Sequence, residues 1–166
     1  MSTATVRELV RVLQERPIPG SIFDEKSFER RFVEPVCVDV LAVADLCVAV
    51  HPWGDKTKAK CWAESKKWAS VTTWGMKHTF DLVARSRDES WSLAVEVKLV
   101  KSKHGKGITG DFQRMMGQCH LARLRHDAVV GIFGYVGELK EAASVHDFAQ
   151  DLGERDGIWI VVRKVG

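Results

Sequence analysis

The 166-residue chain contains no CxxC pair, and none of its four cysteines (Cys37, Cys47, Cys61, Cys119) stands at a zinc-like spacing from histidine. A disulfide framework and a structural zinc site are therefore not expected, and the thiols read as buried side chains in a reducing compartment. The six histidines form no spaced metal pair either. The N-terminus, MSTATVRELVRVLQERP, is charged throughout and does not resemble a signal peptide. The longest apolar stretch, Val36 to Val50, is interrupted by Asp39 and Asp45 and is too short to span a bilayer. No membrane partner is expected, and the chain reads as soluble and cytoplasmic. GxSxG, HExxH and glycine-rich nucleotide motifs are missing, and GKGITG has neither the spacing nor the GK[ST] end of a P-loop. There are no repeats or low-complexity tracts. The formal net charge of +3 permits a nucleic-acid partner without arguing for one.

What is present is an ordinary globular composition, 45% apolar and 28% charged, in a length that suits one domain over residues 1–166. Val6, Leu9, Val10 and Leu13 recur at helical spacing, so residues 3 to 16 read as a helix within an N-terminal segment 1–20. RPIPGS then breaks the chain. A long helical region runs from an Asp24 or Ser27 cap to about Val50, with Pro35 either kinking it or opening a second helix. Residues 51–70 form a Lys/Trp-rich insertion: a loop, then a short amphipathic piece. Strands are expected around Val71 to Trp74, Thr79 to Arg85 and Trp91 to Val100. A helix follows from about Asp111 to Arg125, then a strand at AVVGIFGYVG, a helix at KEAASVHDFAQDL and a closing strand at GIWIVVRKV. Helices, a strand meander and crossover helices together imply an α/β fold with a central mixed sheet flanked by helices.

The second and third strands close on the polar stretch SRDES as an antiparallel hairpin. With the turn at Asp88-Glu89, opposed residues carry numbers summing to 177. Phe80 then faces Val97, Leu82 faces Val95, and Ala84 faces Leu93, an apolar face. The other face sets Asp81 opposite Glu96 and Val83 opposite Ala94, with Lys98 two residues beyond Glu96. Opposed carboxylates repel, and a divalent cation between them reverses the sign. A neighbouring lysine can position a water or neutralise charge that builds on a phosphate. A solvated strand face explains Glu96 and Lys98 equally simply; the opposed Asp81 is what favours a phosphodiester-hydrolysis site.

FDLVARSRDESWSLAVEVK resembles the bipartite motif of the PD-(D/E)XK nuclease superfamily: an acid in one strand, then acid-x-lysine in the next. The resemblance covers roughly residues 25 to 136 and lacks the proline of the family name, since Phe80 precedes Asp81. It implies a restriction-endonuclease-like three-layer sandwich with an αβββαβ core. It implies a nuclease that uses Mg²⁺ or Mn²⁺ on nucleic acid, with DNA the first expectation. Asp81 and Glu96 would be metal ligands and Lys98 the catalytic lysine. Gln113, in the first turn of the following helix, would be a further site residue, with Gln118 as the fallback. An acid from the first core helix, Glu29 or Glu34, would complete the metal shell, Glu29 being chosen. A non-catalytic module on the same fold, binding nucleic acid or protein, is the alternative, and a homodimer or a protein partner is compatible with the compact domain.

Beyond Lys98, the residues Lys101, Lys103, His104 and Lys106 alternate with glycines and fit a phosphate-contacting loop as well as a solvated one. In the 51–70 insertion the helical register puts Trp62 and Trp68 on a buried stripe with Cys61, and Trp53 is expected to be the exposed tryptophan. His120 and His126 read as surface or interface residues.

Overall fold

The computed structural model describes residues 3–73, 75–101, 108–137 and 152–166. Helix α1 (Thr3–Glu15) buries Val6, Leu9 and Leu13, the stripe its sequence spaces. The next helical run starts at a capping box: the Asp24 carboxylate accepts from the Ser27 N–H, and Ser27 Oγ accepts from the Asp24 N–H. Helix α2 (Glu25–Phe28) passes into a π-helical turn (Glu29–Val33) and then α3 (Glu34–Val43). Pro35 has no N–H to offer the preceding turn, and the helix changes its hydrogen-bond phase immediately before it, the Glu34 N–H bonding to the Glu29 carbonyl.

The helix does not run to Val50. Asp45 takes a left-handed φ of 56°, the chain reverses, and Cys47–Val50 becomes strand β1. The mostly apolar character of residues 36 to 50, broken only by Asp39 and Asp45, hid this change, because a short apolar run does not tell a strand from a buried helix. Helix α4 (Lys56–Glu64) starts on an Asp55 cap inside the stretch read as loop. Strands β2 (Ser70–Thr73) and β3 (Met76–Thr79) form a separate two-stranded hairpin, so the strand expected near Val71 does not belong to the main sheet. Strands β4 (Leu82–Arg85) and β5 (Ser92–Lys101), helix α5 (Ile108–Arg123), and strands β6 (Ala128–Val136) and β7 (Ile158–Lys164) complete the described elements. The helix read at KEAASVHDFAQDL lies outside the described residues up to Asp151.

The main sheet has five strands in the order β1-β4-β5-β6-β7. β1, β4 and β5 are antiparallel neighbours, and β5, β6 and β7 run parallel. The observed β4–β5 pairs Leu82–Val95, Val83–Ala94 and Ala84–Leu93 keep the expected register. One face packs Leu82, Ala84, Leu93, Val95 and Val97 against α1, α2 and α3. The opposite face packs Val83, Ala94 and Val129 against α5 and the β2–β3 hairpin. The molecule is thus a three-layer α/β sandwich around a mixed sheet. Phe80 departs from expectation: it belongs to the second core and not to the face of Val97. Among the described residues no helix is long and apolar enough to cross a membrane.

Burial corrects other readings. Cys37 and Cys119 are buried, while Cys47 and Cys61 are exposed. His126 is buried against the Trp68 carbonyl (3.0 Å), and burial pushes its pKa down to about 4. Trp62 and Trp68 pack on the second core as expected.

Gly134 on β6 lets the α2 segment lie close to the sheet. A Cβ there would stand 2.8 Å from the Phe28 ring and 2.9 Å from Leu99 Cδ1. Gly134→Ala is expected to destabilise the fold by about 1–3 kcal/mol through overpacking, a loss that denaturant unfolding at neutral pH will measure.

Candidate active site: carboxylates at the start of β4 and on β5

The regular β4–β5 ladder ends at Leu82–Val95. Continued by one more hydrogen-bonded pair, it would join Val97 to Phe80. Instead the Phe80 N–H bonds to the Ala69 carbonyl, and the Val97 N–H donates to Asp81 Oδ2 at 2.7 Å. The aspartate side chain thus accepts the hydrogen bond that Phe80 no longer takes. The Asp81 backbone is fixed on both sides, its N–H on the Val95 carbonyl (3.2 Å) and its own carbonyl on the His51 N–H (2.8 Å).

Glu96 lies on the same face of β5 as Ala94, towards α5, and is 3% exposed. Its neighbour across the parallel ladder is Gly131, over which Cys119 Sγ and Ile160 Cδ1 pack so closely that a Cβ would stand 2.8 and 2.9 Å from them. His78 reaches from β3 to place Nε2 2.8 Å from Glu96 Oε1. Lys98 lies two residues on, and its Nζ pairs with Glu25 Oε2 at 3.0 Å. The same Glu25 oxygen accepts from the Leu99 N–H at 3.1 Å, tying α2 to β5.

Glu29, on the π turn, is 2% exposed. Trp53 Nε1 donates to Glu29 Oε2 at 2.6 Å, while Oε1 is buried without a partner. Trp53 is half-buried, which corrects the expectation of an exposed ring. Its loop has left-handed backbone at Trp53 (φ 45°) and Gly54 (φ 90°). Glu34, the other helix acid, pairs with Lys58.

Electrostatics tie these groups together. Burial, then the charges of Glu96 and Glu29, push the Asp81 carboxyl well above the usual carboxylate range. Burial also raises Glu96, against the opposing effect of its His78 hydrogen bond. Burial raises Glu29 to about 7, with Trp53 opposing and Glu34 and Glu25 adding to the rise. Carboxylates so placed are short of positive charge.

The structure therefore brings Asp81, Glu96 and Glu29 into one electrostatic cluster, with Lys98 joined through Glu25. It does not bring Gln113 there. Helix α5 begins at Ile108, so Gln113 falls in its second turn and is exposed, and Gln118 is half-buried. Lys101 is exposed at the end of β5, and Lys103, His104 and Lys106 lie outside the described residues. Sequence reading missed Glu25, His78 and Trp53, which arrive from separate elements with no local spacing to announce them.

Among the described residues no three His, Cys, Asp or Glu side chains are already grouped to hold a metal ion. The donor set still fits a hard divalent cation in kind: carboxylate oxygens, one of them the orphaned Glu29 Oε1. No family model matches this chain, and no curated protein or solved structure matches it.

A carboxyl group that holds its proton more tightly in the folded state makes the fold less stable as pH rises through the interval between its two pKa values. For Glu29 that interval runs from 4.5 to about 7, corresponding to roughly 3 kcal/mol. Asp81 acts in the same direction. These carboxyls are expected to cost metal-free protein stability between pH 5 and pH 8 in denaturant titrations, against the opposite trend of His126, whose lowered pKa favours folding as pH rises to about 6.5. Glu29→Gln should match the parent at pH 5 and exceed it at pH 8.

Proposed function

We propose that the chain is a divalent-metal-dependent nuclease of the PD-(D/E)XK kind, with DNA the leading substrate. The observation that carries this reading is the Asp81–Glu96 carboxyl pair, a half-buried Asp81 beside a buried Glu96, with Lys98 two residues beyond Glu96 on the same strand. Like charges so poorly solvated weaken a fold and are best explained by a cation they serve. Antiparallel β1, β4 and β5 followed by α5 and parallel β6 support the resemblance when α4, β2 and β3, which separate β1 from β4 in the chain, are read as an insertion.

Asp81 and Glu96 would hold Mg²⁺ or Mn²⁺, and Glu29 would offer a further oxygen. The chemistry such an ion supplies when bound is a more acidic water and neutralised phosphate charge. The chain's own groups do the rest. Asp81 is locked by the Val97 N–H, and Glu96 is oriented by His78. Lys98 is held by Glu25, and on substrate binding its ammonium can turn to the phosphate, where it neutralises charge growing on the non-bridging oxygens. Water would attack phosphorus and give up a proton to solvent as the bond between phosphorus and the sugar oxygen breaks, and the departing alkoxide would take a proton from solvent.

Cleavage is read on single-stranded, duplex and branched DNA and on RNA, with Mg²⁺, Mn²⁺ or EDTA. The parent is expected to cut in metal only. Asp81→Ala and Lys98→Ala should each lose at least about 10²-fold in rate, and Asp81→Ala should also lose Mn²⁺ binding. Intact substrates in every lane, or variants that cut like the parent, would remove catalysis and leave a binding module on the same fold.

A further inference from the structure

Successive strand residues point to opposite sides, so the hairpin that sends His78 inward to Glu96 turns Lys77 and its cross-strand partner Thr72 outward. On that outer side an open groove of about 680 Å³ runs between the end of α4 and the hairpin. Lys66, Lys67, Lys77 and Arg125 line it together with the hydroxyl residues Ser70 and Thr72, and among the described residues Glu64 is the one carboxylate in the lining. That leaves three positive charges in excess in a single groove, as many as the net charge of the whole chain.

Some of this charge is already engaged. Lys67 Nζ pairs with Glu89 at 2.5 Å, and Arg125 Nη1 donates to the Lys67 carbonyl at 2.7 Å. Lys66 and Lys77 are exposed and, among the described residues, form no ion pair. A smaller hollow of about 380 Å³ adjoins the groove through Lys67 and Arg125, and there the Trp68 ring forms part of the wall with Lys67 Nζ 5.1 Å from its centre.

We propose that this groove is a track for the phosphate backbone of a nucleic-acid strand, laid across the outer face of the hairpin whose inner face covers Glu96. The identity of the polyanion rests on the nuclease reading above; the groove itself rests on its charge and shape. Lysine, arginine and small hydroxyl side chains are the groups that position sugar–phosphate backbone. A protein-binding surface would instead carry aromatic and apolar anchors and be poor in lysine at its centre. Here Ala63 is the one apolar residue lining the larger groove among the described residues. Lys77 on the groove side and His78 beside Glu96 are adjacent on β3, so the groove and the carboxylate contact share one hairpin.

Binding of fluorescent single-stranded and duplex oligonucleotides is measured by anisotropy in EDTA across a salt series, for the parent, for Lys66→Gln/Lys77→Gln and for Lys164→Gln, an exposed lysine at the end of β7. The double variant is expected to bind roughly tenfold more weakly, with the salt slope reduced by about 2. Lys164→Gln should bind like the parent, and all should share its thermal unfolding midpoint. Equal binding by parent and double variant overturns the track while leaving metal-dependent cleavage untouched. Loss of binding in the double variant, from a parent that never cuts, upholds the track and removes the nuclease. A parent that binds poly-glutamate through these lysines but no oligonucleotide overturns it in favour of an acidic protein partner.

Discussion

The hydrogen bond from the Val97 N–H to the Asp81 carboxylate sets the arrangement of this molecule's functional end. A strand can leave a sheet only if the backbone groups it abandons find other partners. Here the side chain of the departing strand supplies the acceptor, and Phe80 is free to turn into the core between the sheet and α5. That turn brings residues 70–79 back over the sheet as a hairpin, with the Phe80 N–H held by Ala69 and His78 beside Glu96. The carboxylate that ends the ladder is thus also the one that builds the pocket around itself.

Charge is distributed unevenly in that pocket. Glu25 has Lys98 and a backbone amide, and Glu96 has His78, but Glu29 retains one oxygen with no partner. Asp81 receives a neutral amide against the charges of Glu96, Glu29 and Glu25. Each carboxyl is oriented by the protein's own groups, and burial together with this crowding of acids favours their protonated forms.

The pairing of β4 with β5 was legible in the sequence because a hairpin obeys arithmetic, although Asp81 itself lies one residue beyond the ladder. A period of two and one turn position determine which side chains meet, and the observed β4–β5 pairs follow that register. The fold class was legible for the same reason, as alternating elements leave few ways to cover a sheet. Phe80 was not, because a side chain replacing a backbone acceptor breaks the period without any mark in the pattern. β1 was not, because four apolar residues after an apolar helix carry no period of their own. Trp53, His78 and Glu25 come from a loop, a second sheet and a helix, and only tertiary packing makes them neighbours.

The π turn at Glu29–Val33 sets the rotational phase between the two ends of its helix. One residue of α-helix advances the side-chain direction by about 100°, and a π turn absorbs one residue without advancing the axis as far. Before the turn and at its first residue, the chain presents Glu25 and Glu29 to the carboxylate pocket; downstream, it presents Val36, Cys37 and Leu41 to the core. A regular α-helix of the same sequence would satisfy one of these faces and turn the other partly to solvent. The extra residue works as a vernier between packing and charge, so a single deletion within this turn would change what the helix offers the site without altering any of the acids themselves.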